Sequence, residues 1–510
     1  MTGTTVQVQD GVIRDLDPRS GELIAEIPVG SDDDVDLAVH EAREAFESWS
    51  RLSFRQRAEH LLRVRDLMLD RVDALVDTIC RETGKLPAEA VATELLGACE
   101  LIGFYAKKGE RFLRPRSVSP GSLLHKRCEV RYEPRGVVGV ISPWNYPFIL
   151  SFTPVVTALF AGNTAVLKPS EKTPLVGMAI GELFDDVGGH RGIVRVVPGD
   201  GSTGAALASA DVQMICFVGS VRTGRKVMQA AAERLTPVIL ELGGKDPMIV
   251  CADADLERAA NAAVWGAFQN CGQACMSVER VYVEEAVYEP FVQKVLEKAR
   301  GVRQGAGPGF DIGSMTFPPQ IETVRRHVED ALARGAKVLL GGFPEESRRG
   351  LWYPPTVLVD VDHSMAIMRE ETFGPVLPIM KVRDLDEALR LANDSEYGLG
   401  ASVFTRSSEV ADNVVSEIES GNVCVNDCLV NYGIHALPYG GVKHSGFGRV
   451  HGEEGLRQFC VTKAVVKDRG WLRREPHWYP IPRWLHGAVT RVLRLQYRRG
   501  LRNKLKALLP

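Results

Sequence analysis

Two thiols and one carboxylate carry the strongest hints of chemistry in these 510 residues. The run Phe268-Gln-Asn-Cys271-Gly-Gln-Ala-Cys275-Met276 sets one thiol behind a glycine-containing turn. A thiolate there could attack an electrophilic carbon. Taken alone, such a cysteine is more often a packed small hydrophobe. The run Val238-Ile-Leu-Glu241-Leu-Gly-Gly-Lys245 ends an apolar stretch on a carboxylate. A carboxylate at a buried strand end is costly unless it is paired or used. Cys271/Cys275 and Cys424/Cys428 share CxxxC spacing, but no histidine cluster accompanies them, so no metal site is expected.

Three further segments suit a nucleotide. Gly199-Asp-Gly201-Ser-Thr-Gly204 matches GxGxxG and follows a predicted strand, but no acid stands about 20 residues later as the usual fingerprint requires. Phe217-Val-Gly219-Ser220-Val-Arg-Thr-Gly224 runs from strand into helix, with Ser220 as N-cap. The free N–H groups of that helix start could seat a pyrophosphate, and a plain capped helix reads equally well. Lys168-Pro-Ser-Glu171 closes the strand Thr164–Leu167, at the end where parallel sheets bind nucleotides. A carboxylate there can accept both ribose hydroxyls and would repel a 2′-phosphate, which favours NAD over NADP. The alternative is a solvated charge pair.

The elements that must position these groups follow from periodicity. Residues 33–111 are expected to be helical, with amphipathic stretches from Val35 to Trp49 and, after an N-cap at Ser53, from Arg55 to Thr78. Residues 112–134 read as an extended arm. From there, buried strands at Val137–Ile141, Ala165–Lys168, Ile193–Val197, Met214–Val218, Val238–Glu241 and Met248–Cys251 alternate with helical stretches. A second set follows at Val281–Val283, Val338–Leu340, Val376–Lys381, Ala401–Thr405 and Val423–Val425. Strand–helix alternation predicts two parallel α/β units, joined near Gly243-Gly244.

Composition sets the bounds. The chain is 45% hydrophobic and 25% charged, which excludes a disordered chain, a fibre and a disulfide scaffold. A net charge of −3 gives no push toward nucleic acid. That balance hides an uneven distribution: residues 471–510 hold ten Lys and Arg against Glu475, a net of +9, so the rest carries −12. Ten scattered cysteines and an N-terminus without an apolar core predict reduced thiols in a cytoplasm. No apolar stretch approaches the roughly 20 residues needed to cross a bilayer.

Seven segments, in order, resemble the NAD(P)-dependent aldehyde dehydrogenases: Ser142-Pro-Trp-Asn-Tyr-Pro147, Leu167-Lys-Pro-Ser-Glu171, Phe217-Val-Gly-Ser220, Leu240-Glu-Leu-Gly-Gly-Lys245, Gly272-Gln-Ala-Cys275, Glu371-Thr-Phe-Gly-Pro375 and Pro438-Tyr-Gly-Gly-Val-Lys-His-Ser-Gly446. They cover about residues 20–465. The resemblance implies an α/β fold with a Rossmann-like NAD-binding domain (1–111 and 135–242), an α/β catalytic domain (243–445) and a β oligomerisation arm (112–134 and 446–470), followed by the basic amphipathic tail 471–510. It implies Cys275 as nucleophile, Glu241, 34 residues earlier, as general base, and Asn145 as oxyanion donor together with the Cys275 backbone N–H. Glu371 and Phe373 would hold the nicotinamide ribose and ring. Ser142, Trp144, Lys168, Glu171, Gly201, Gly219, Ser220 and Leu242 would line the rest of the cofactor site, with Glu171 supplying the acid that the GxGxxG segment lacks.

The reaction then implied is aldehyde oxidation through a Cys275 thiohemiacetal and a thioester, hydrolysed by water that Glu241 activates, with NAD as cofactor, NADP as the alternative and no metal. Tyr146, Phe148, Ile149, Leu150, Phe268 and Met276 are expected at the substrate funnel, with the loop Asp427–His435 closing it. Their apolar character suggests an apolar aldehyde; succinate semialdehyde is the alternative, although no basic partner for its carboxylate can be placed. A structural protein on the same fold has no need of Cys275, Glu241 and Asn145 together, and Glu241 favours water over coenzyme A as acyl acceptor. A homodimer or homotetramer is implied. Trp471, Trp478, Tyr479 and Trp484 precede a helical face of Leu485, Ala488 or Val489, Val492, Leu495, Leu501, Leu505 and Leu508, flanked by arginines and lysines. Such a tail suits either the surface of an anionic membrane or, more commonly, its own oligomer.

Overall fold

The computed structural model describes residues 7–345 and 349–500. It divides into two compact units, one within Met1–Arg114 and Tyr132–Thr462, the other within Pro115–Arg131 and Lys463–Pro510.

Two sheets organise the first unit. One runs, in spatial order, Gly446–Phe447, Val238–Glu241, Met214–Val218, Val137–Ile141, Thr164–Lys168 and Val194–Val196. Its strands are parallel except for Gly446–Phe447 at the edge. The order reverses beside Val137–Ile141, which opens a crevice at the carboxyl ends of that strand and of Met214–Val218. The other sheet runs Lys337–Leu340, Thr356–Val359, Val376–Val382, Val278–Glu284, Asp246–Val250, Gly400–Phe404 and Asn422–Val425. Only its Lys337–Leu340 edge is antiparallel. The strand Val238–Glu241 lies in the first sheet and Asp246–Val250 in the second, so the chain changes sheets at Gly243-Gly244.

Central strands buried on both faces need helices above and below, and four apolar clusters fill those layers. Helix Ile149–Phe160 is buried along its whole length against the first sheet. Helices Asp32–Trp49 and Phe54–Asp70 begin at capping boxes, Ser31 with Asp34 and Ser53 with Gln56.

The structure departs from the periodicity reading in several places. The expected helix from Arg55 to Thr78 breaks at Arg71 and resumes as Val72–Thr83. Residues Gln7–Gln9, Val12–Leu16 and Leu23–Pro28 form a small antiparallel sheet that the pattern does not announce. Strand Thr356–Val359 and helix Leu256–Phe268 were likewise not expected; an alanine-rich face gives the latter little hydrophobic contrast. The segment assigned to the arm from 446 onward begins inside the first unit: Gly446–Phe447 pairs with Val238–Glu241, and helix Gly452–Gln458 packs on Leu96–Leu113.

A three-stranded sheet is ordered Cys460–Asp468, Lys126–Pro134 and Arg116–Val118, and its residues 116–118, 126–131 and 463–468 belong to the second unit. Lys126 bridges Asp468 and Glu475, and His125 meets Glu475 at 2.9 Å. Helix Leu485–Tyr497 has no buried residue. The expected continuation of its apolar face, Leu501, Leu505 and Leu508, lies outside the described residues.

Candidate active site

Cys275 stands between helix Leu256–Phe268 and strand Val278–Glu284, after a tight turn in which Asn270 (φ 51°) and Cys271 (φ 54°) are left-handed. Close backbone approach explains the glycines around it. A Cβ on Gly272 would lie 2.1 Å from the Gly374 carbonyl oxygen, and one on Gly244 would lie 2.1 Å from that of Cys275. Only glycine lets the segments around Glu241, Cys275 and Glu371 meet here. Gly244 N–H donates to Glu371 Oε1 at 3.0 Å, which ties two of those segments together.

The Glu241 carboxyl lies close enough to the Cys275 thiol for the two to shift each other's protonation, while its buried Oε1 has no partner among the described residues. Burial pushes this carboxyl up to about 7. Burial, then the Glu241 charge, raises the Cys275 thiol well above its usual value, and the Tyr439 hydroxyl works the other way. That hydroxyl lies 3.8 Å from Cys275 Sγ and 3.0 Å from Met276 Sδ.

Asn145 follows strand Val137–Ile141 and is buried, its Nδ2 donating to the Gln273 carbonyl at 3.1 Å. Its own carbonyl accepts from Lys85 Nζ at 2.5 Å and Asn270 Nδ2 at 2.9 Å. Lys85 is also paired with Glu94 at 2.6 Å, both side chains fully buried, and Glu94 Oε2 accepts from Phe148 N–H. This pair anchors the Asn145 segment. The sequence reading missed it; the one available signal was two charged residues amid a helical run.

Cys271 is a different case. Its side chain is fully buried in the apolar cluster of the second sheet, with its sulfur 4.0 Å from the Tyr353 carbonyl oxygen and 3.5 Å from Gln304 Nε2. Cys275 packs against the cluster of the first sheet. Cys424 donates to Asn431 and Cys428 to the Ala262 carbonyl.

A cavity of about 480 Å³ opens at Cys275. Tyr146, Ile149, Leu150 and Met276 line it as expected, as do residues 429, 430 and 432–435 of the closing loop. Phe148 and Phe268 do not: both are spent in apolar clusters. Unforeseen walls come from Ala92, Thr93, Leu96, Gly97 and Glu100, where a π-helical turn over Val91–Leu95 enters helix Leu96–Leu113, and from Trp265. Leu96, Trp265, Val430 and Ile434 are exposed apolar residues of this wall. Among the described residues that line the cavity there is no lysine or arginine and one acid, Glu100, and burial holds His435 down at about 4, neutral at pH 7.

The cofactor candidates gather at carboxyl ends of the first sheet. Ser142 accepts a hydrogen bond from Ser151. Lys168 ends its strand buried, 3.6 Å from Glu171. Burial opposes the Glu171 charge, but Lys172 and Lys168 outweigh it and hold the carboxyl down at about 2. Ser220 caps helix Val221–Glu233, Gly219 N–H donates to the Glu241 carbonyl, and Leu242 packs over Gly224. Gly201 begins helix Gly201–Ser209, but Asp200 caps that helix, its carboxylate bonding Ser202 N–H. A fixed negative charge makes that start a poorer seat for a pyrophosphate than the Ser220 helix. Phe373 (φ 52°) is held by Glu279, which is paired with buried Lys245 at 2.6 Å, and Trp144 packs edge-on to Phe373 and Phe317. The Lys245–Glu279 pair was not foreseen. An ionised Glu171 for a ribose diol, a neutral helix start for a pyrophosphate and Glu371 with Phe373 at the far end fit a nicotinamide dinucleotide.

Residues 6–465 match the model of the aldehyde dehydrogenase family. The chain is 44% identical over 470 residues to a Methylomonas sp. protein named 4,4'-diapolycopene aldehyde oxidase, covering 91% of this chain and 87% of that protein. It is 38% identical over 486 residues to a Mycobacterium tuberculosis protein provisionally named a succinate-semialdehyde dehydrogenase of NADP(+), covering 94% of each. Among solved structures, it superposes on a Mycobacterium tuberculosis aldehyde dehydrogenase complexed with NAD+ with a TM-score of 0.87 and 33% identity, covering 91% of this chain and 96% of that one.

Proposed function

Because this chain belongs to the aldehyde dehydrogenase family and is an NAD(P)-dependent oxidoreductase of aldehydes, we propose that it oxidises an extended, apolar aldehyde to its carboxylic acid, with Cys275 as nucleophile. The observation that carries the substrate reading is the cavity at Cys275: apolar walls, an apolar exposed rim and, among the described residues, no lysine or arginine in its lining. A succinate semialdehyde would bring a carboxylate into that space, where the charged residue among the described lining is the acid Glu100. The Methylomonas relative's name points the same way; the mycobacterial name points to the alternative.

In the proposed mechanism, Glu241 takes the thiol proton as Cys275 attacks the aldehyde carbon. A carboxyl pushed up to about 7 is well matched to that transfer. The Asn145 amide and the Cys275 backbone N–H hold the oxyanion of the thiohemiacetal. The nicotinamide dinucleotide, when bound, supplies the hydride acceptor. Glu371 and Phe373 hold its nicotinamide end, Glu171 its adenine-side ribose, and Ser220 with Gly219 its phosphates; Ser142, Trp144, Lys168, Gly201 and Leu242 complete the walls. Once its proton has passed to solvent, Glu241 takes a proton from a water that attacks the thioester and returns it to the departing Cys275 sulfur. Glu171 makes NAD the preferred form, and Glu171→Ser should narrow or reverse that preference.

The test is a panel of aldehydes of rising chain length, followed by the appearance of reduced cofactor with NAD and NADP in parallel. The expected kcat/KM rises about fourfold per added methylene until the cavity is filled. A higher kcat/KM for succinate semialdehyde than for apolar aldehydes of like length overturns the reading.

No described helix is long and apolar enough to cross a membrane. The second unit nevertheless suits an anionic lipid surface. Trp471, Trp478, Tyr479, Trp484, Val489 and Val492 are exposed beside Arg483, Arg491 and Arg494. Basic charge interleaved with interfacial aromatics matches negatively charged headgroups. Deleting 471–510 should abolish salt-sensitive binding to phosphatidylserine vesicles; an intact protein that ignores them at low salt makes the tail an assembly element. The exposed strand Cys460–Asp468 offers the edge for pairing with a second copy, as a dimer or a tetramer.

A further inference from the structure

We propose that the Tyr439 hydroxyl is the hydrogen-bond donor that stabilises the Cys275 thiolate, with Met276 Sδ as its acceptor at rest. The proposal rests on Cys275 being the nucleophile. The phenol oxygen lies 3.8 Å from Cys275 Sγ and 3.0 Å from Met276 Sδ, so one proton has two sulfur acceptors within reach. A thioether is a weak acceptor; a thiolate is a charged and much stronger one. When Cys275 gives its proton to Glu241, rotation about the phenol C–O bond turns the O–H from Met276 to Cys275. No heavy atom has to move far.

The site is built to hold this ring. Tyr439 is fully buried, and its backbone N–H and C=O both pair with Val450, at 2.8 and 2.9 Å. Tyr432 packs edge-on to it with ring centroids 4.8 Å apart. A Cβ on Gly440 would meet the Gly448 carbonyl oxygen at 2.5 Å, so the backbone beside the ring has one close-packed path. Burial and the neighbouring Cys275 keep the phenol protonated, which leaves it a donor throughout the working pH range.

The groups around Cys275 leave Tyr439 this role. Glu241, once it has taken the thiol proton, is itself an O–H donor, so Tyr439 adds a donor that keeps its own proton throughout, and burial raises the Asp246 carboxyl well above its usual value. The Tyr146 and Tyr432 phenols are raised by burial and stay neutral, as do His435 and His451, both pushed down by burial. None of these hydroxyls or ring nitrogens is in hydrogen-bond contact with Cys275 Sγ, and the Tyr439 hydroxyl is.

The experiment compares full-length parent and Tyr439→Phe. Iodoacetamide inactivation is followed from pH 5 to 10, and alkylation of the Cys275 peptide is read by mass spectrometry. Loss of a hydrogen bond to a charged sulfur should shift the inactivation profile to higher pH and slow alkylation at pH 7 about tenfold. The burst of reduced cofactor should slow by a similar factor, while NAD binding is unchanged. Retained NAD binding and an unchanged circular dichroism spectrum establish that the variant is folded. An unshifted inactivation profile in that folded variant overturns the donor role. A Cys275→Ala protein that still turns over overturns the nucleophile itself, which keeps the two failures apart.

Discussion

Cys271 and Cys275 are the same residue type four positions apart, and the fold gives them opposite environments. Cys271 sits at a left-handed position, its sulfur turned toward the Tyr353 carbonyl inside the second sheet's apolar cluster. Cys275 is partly open to a cavity, within reach of Glu241 and of the Tyr439 hydroxyl. The turn Gln269–Gly272, with its two left-handed residues, sends one thiol into each region. The lesson is that neither burial nor spacing alone marks a reactive thiol. A base, a donor and room for a substrate must converge on it, and here they converge on only one of the two.

The largest expected effect tests the active member of the pair. Cys275→Ala should abolish turnover while NAD binding, measured by fluorescence titration, survives. Appreciable oxidation by the folded variant would break the comparison at its root. Glu241→Gln should come next, with steady-state turnover down about 100- to 10,000-fold. Stopped-flow should resolve a slowed burst of reduced cofactor followed by a stall at the thioester, because Glu241 serves both the thiol and the water; a burst at the parent rate would mean that the thiol loses its proton to another group. In the parent, the carboxyl must be ionised to act as a base. Hydrolysis should therefore rise with pH through about 7 and fall below it, and Glu241→Gln should lose that inflection.

Asn145→Ala should lower kcat about 100- to 1,000-fold with little change in NAD affinity, because it removes a donor used in the transition state. The smallest effect belongs to the other thiol. Cys271→Ser should keep full activity and lose about 1–2 kcal/mol of stability in a urea titration, since it places a hydroxyl in an apolar cluster. A large loss of activity in a stable Cys271→Ser protein would erase the distinction between the two cysteines.

Much of the architecture was legible because it rests on local pattern. β-branched runs separated by helical periodicity marked eleven strands of the two sheets, and the glycine pair at 243–244 marked the crossing between them. Ser53 and Ser220 announced helix starts that the structure contains. Legibility ended where local signals are weak. The alanine-rich helix Leu256–Phe268 has little hydrophobic contrast, and the strand Thr356–Val359 is only four residues long. Phe148 and Phe268 looked like funnel residues because they adjoin Asn145 and Cys275 in sequence, but their neighbours along the chain, not they, face the cavity. At Gly201 the motif was present, yet Asp200 had taken the helix start for its own cap.

What the sequence by itself determined is the chemical set: a thiol, a carboxylate and an amide, each joined to a glycine turn or a strand end that presents it. Those are short-range facts, since turn chemistry and strand ends depend on a few consecutive residues. Only the tertiary structure decided which thiol meets the carboxylate, and what holds the partners in place. The Tyr439 hydroxyl reaches Cys275 across 164 residues of chain, and Lys85 reaches the Asn145 carbonyl across 60. Such contacts leave no periodic trace in the chain. They arise because close packing of two sheets and their helices admits one arrangement of those side chains, and the buried polar atoms must find their partners within it.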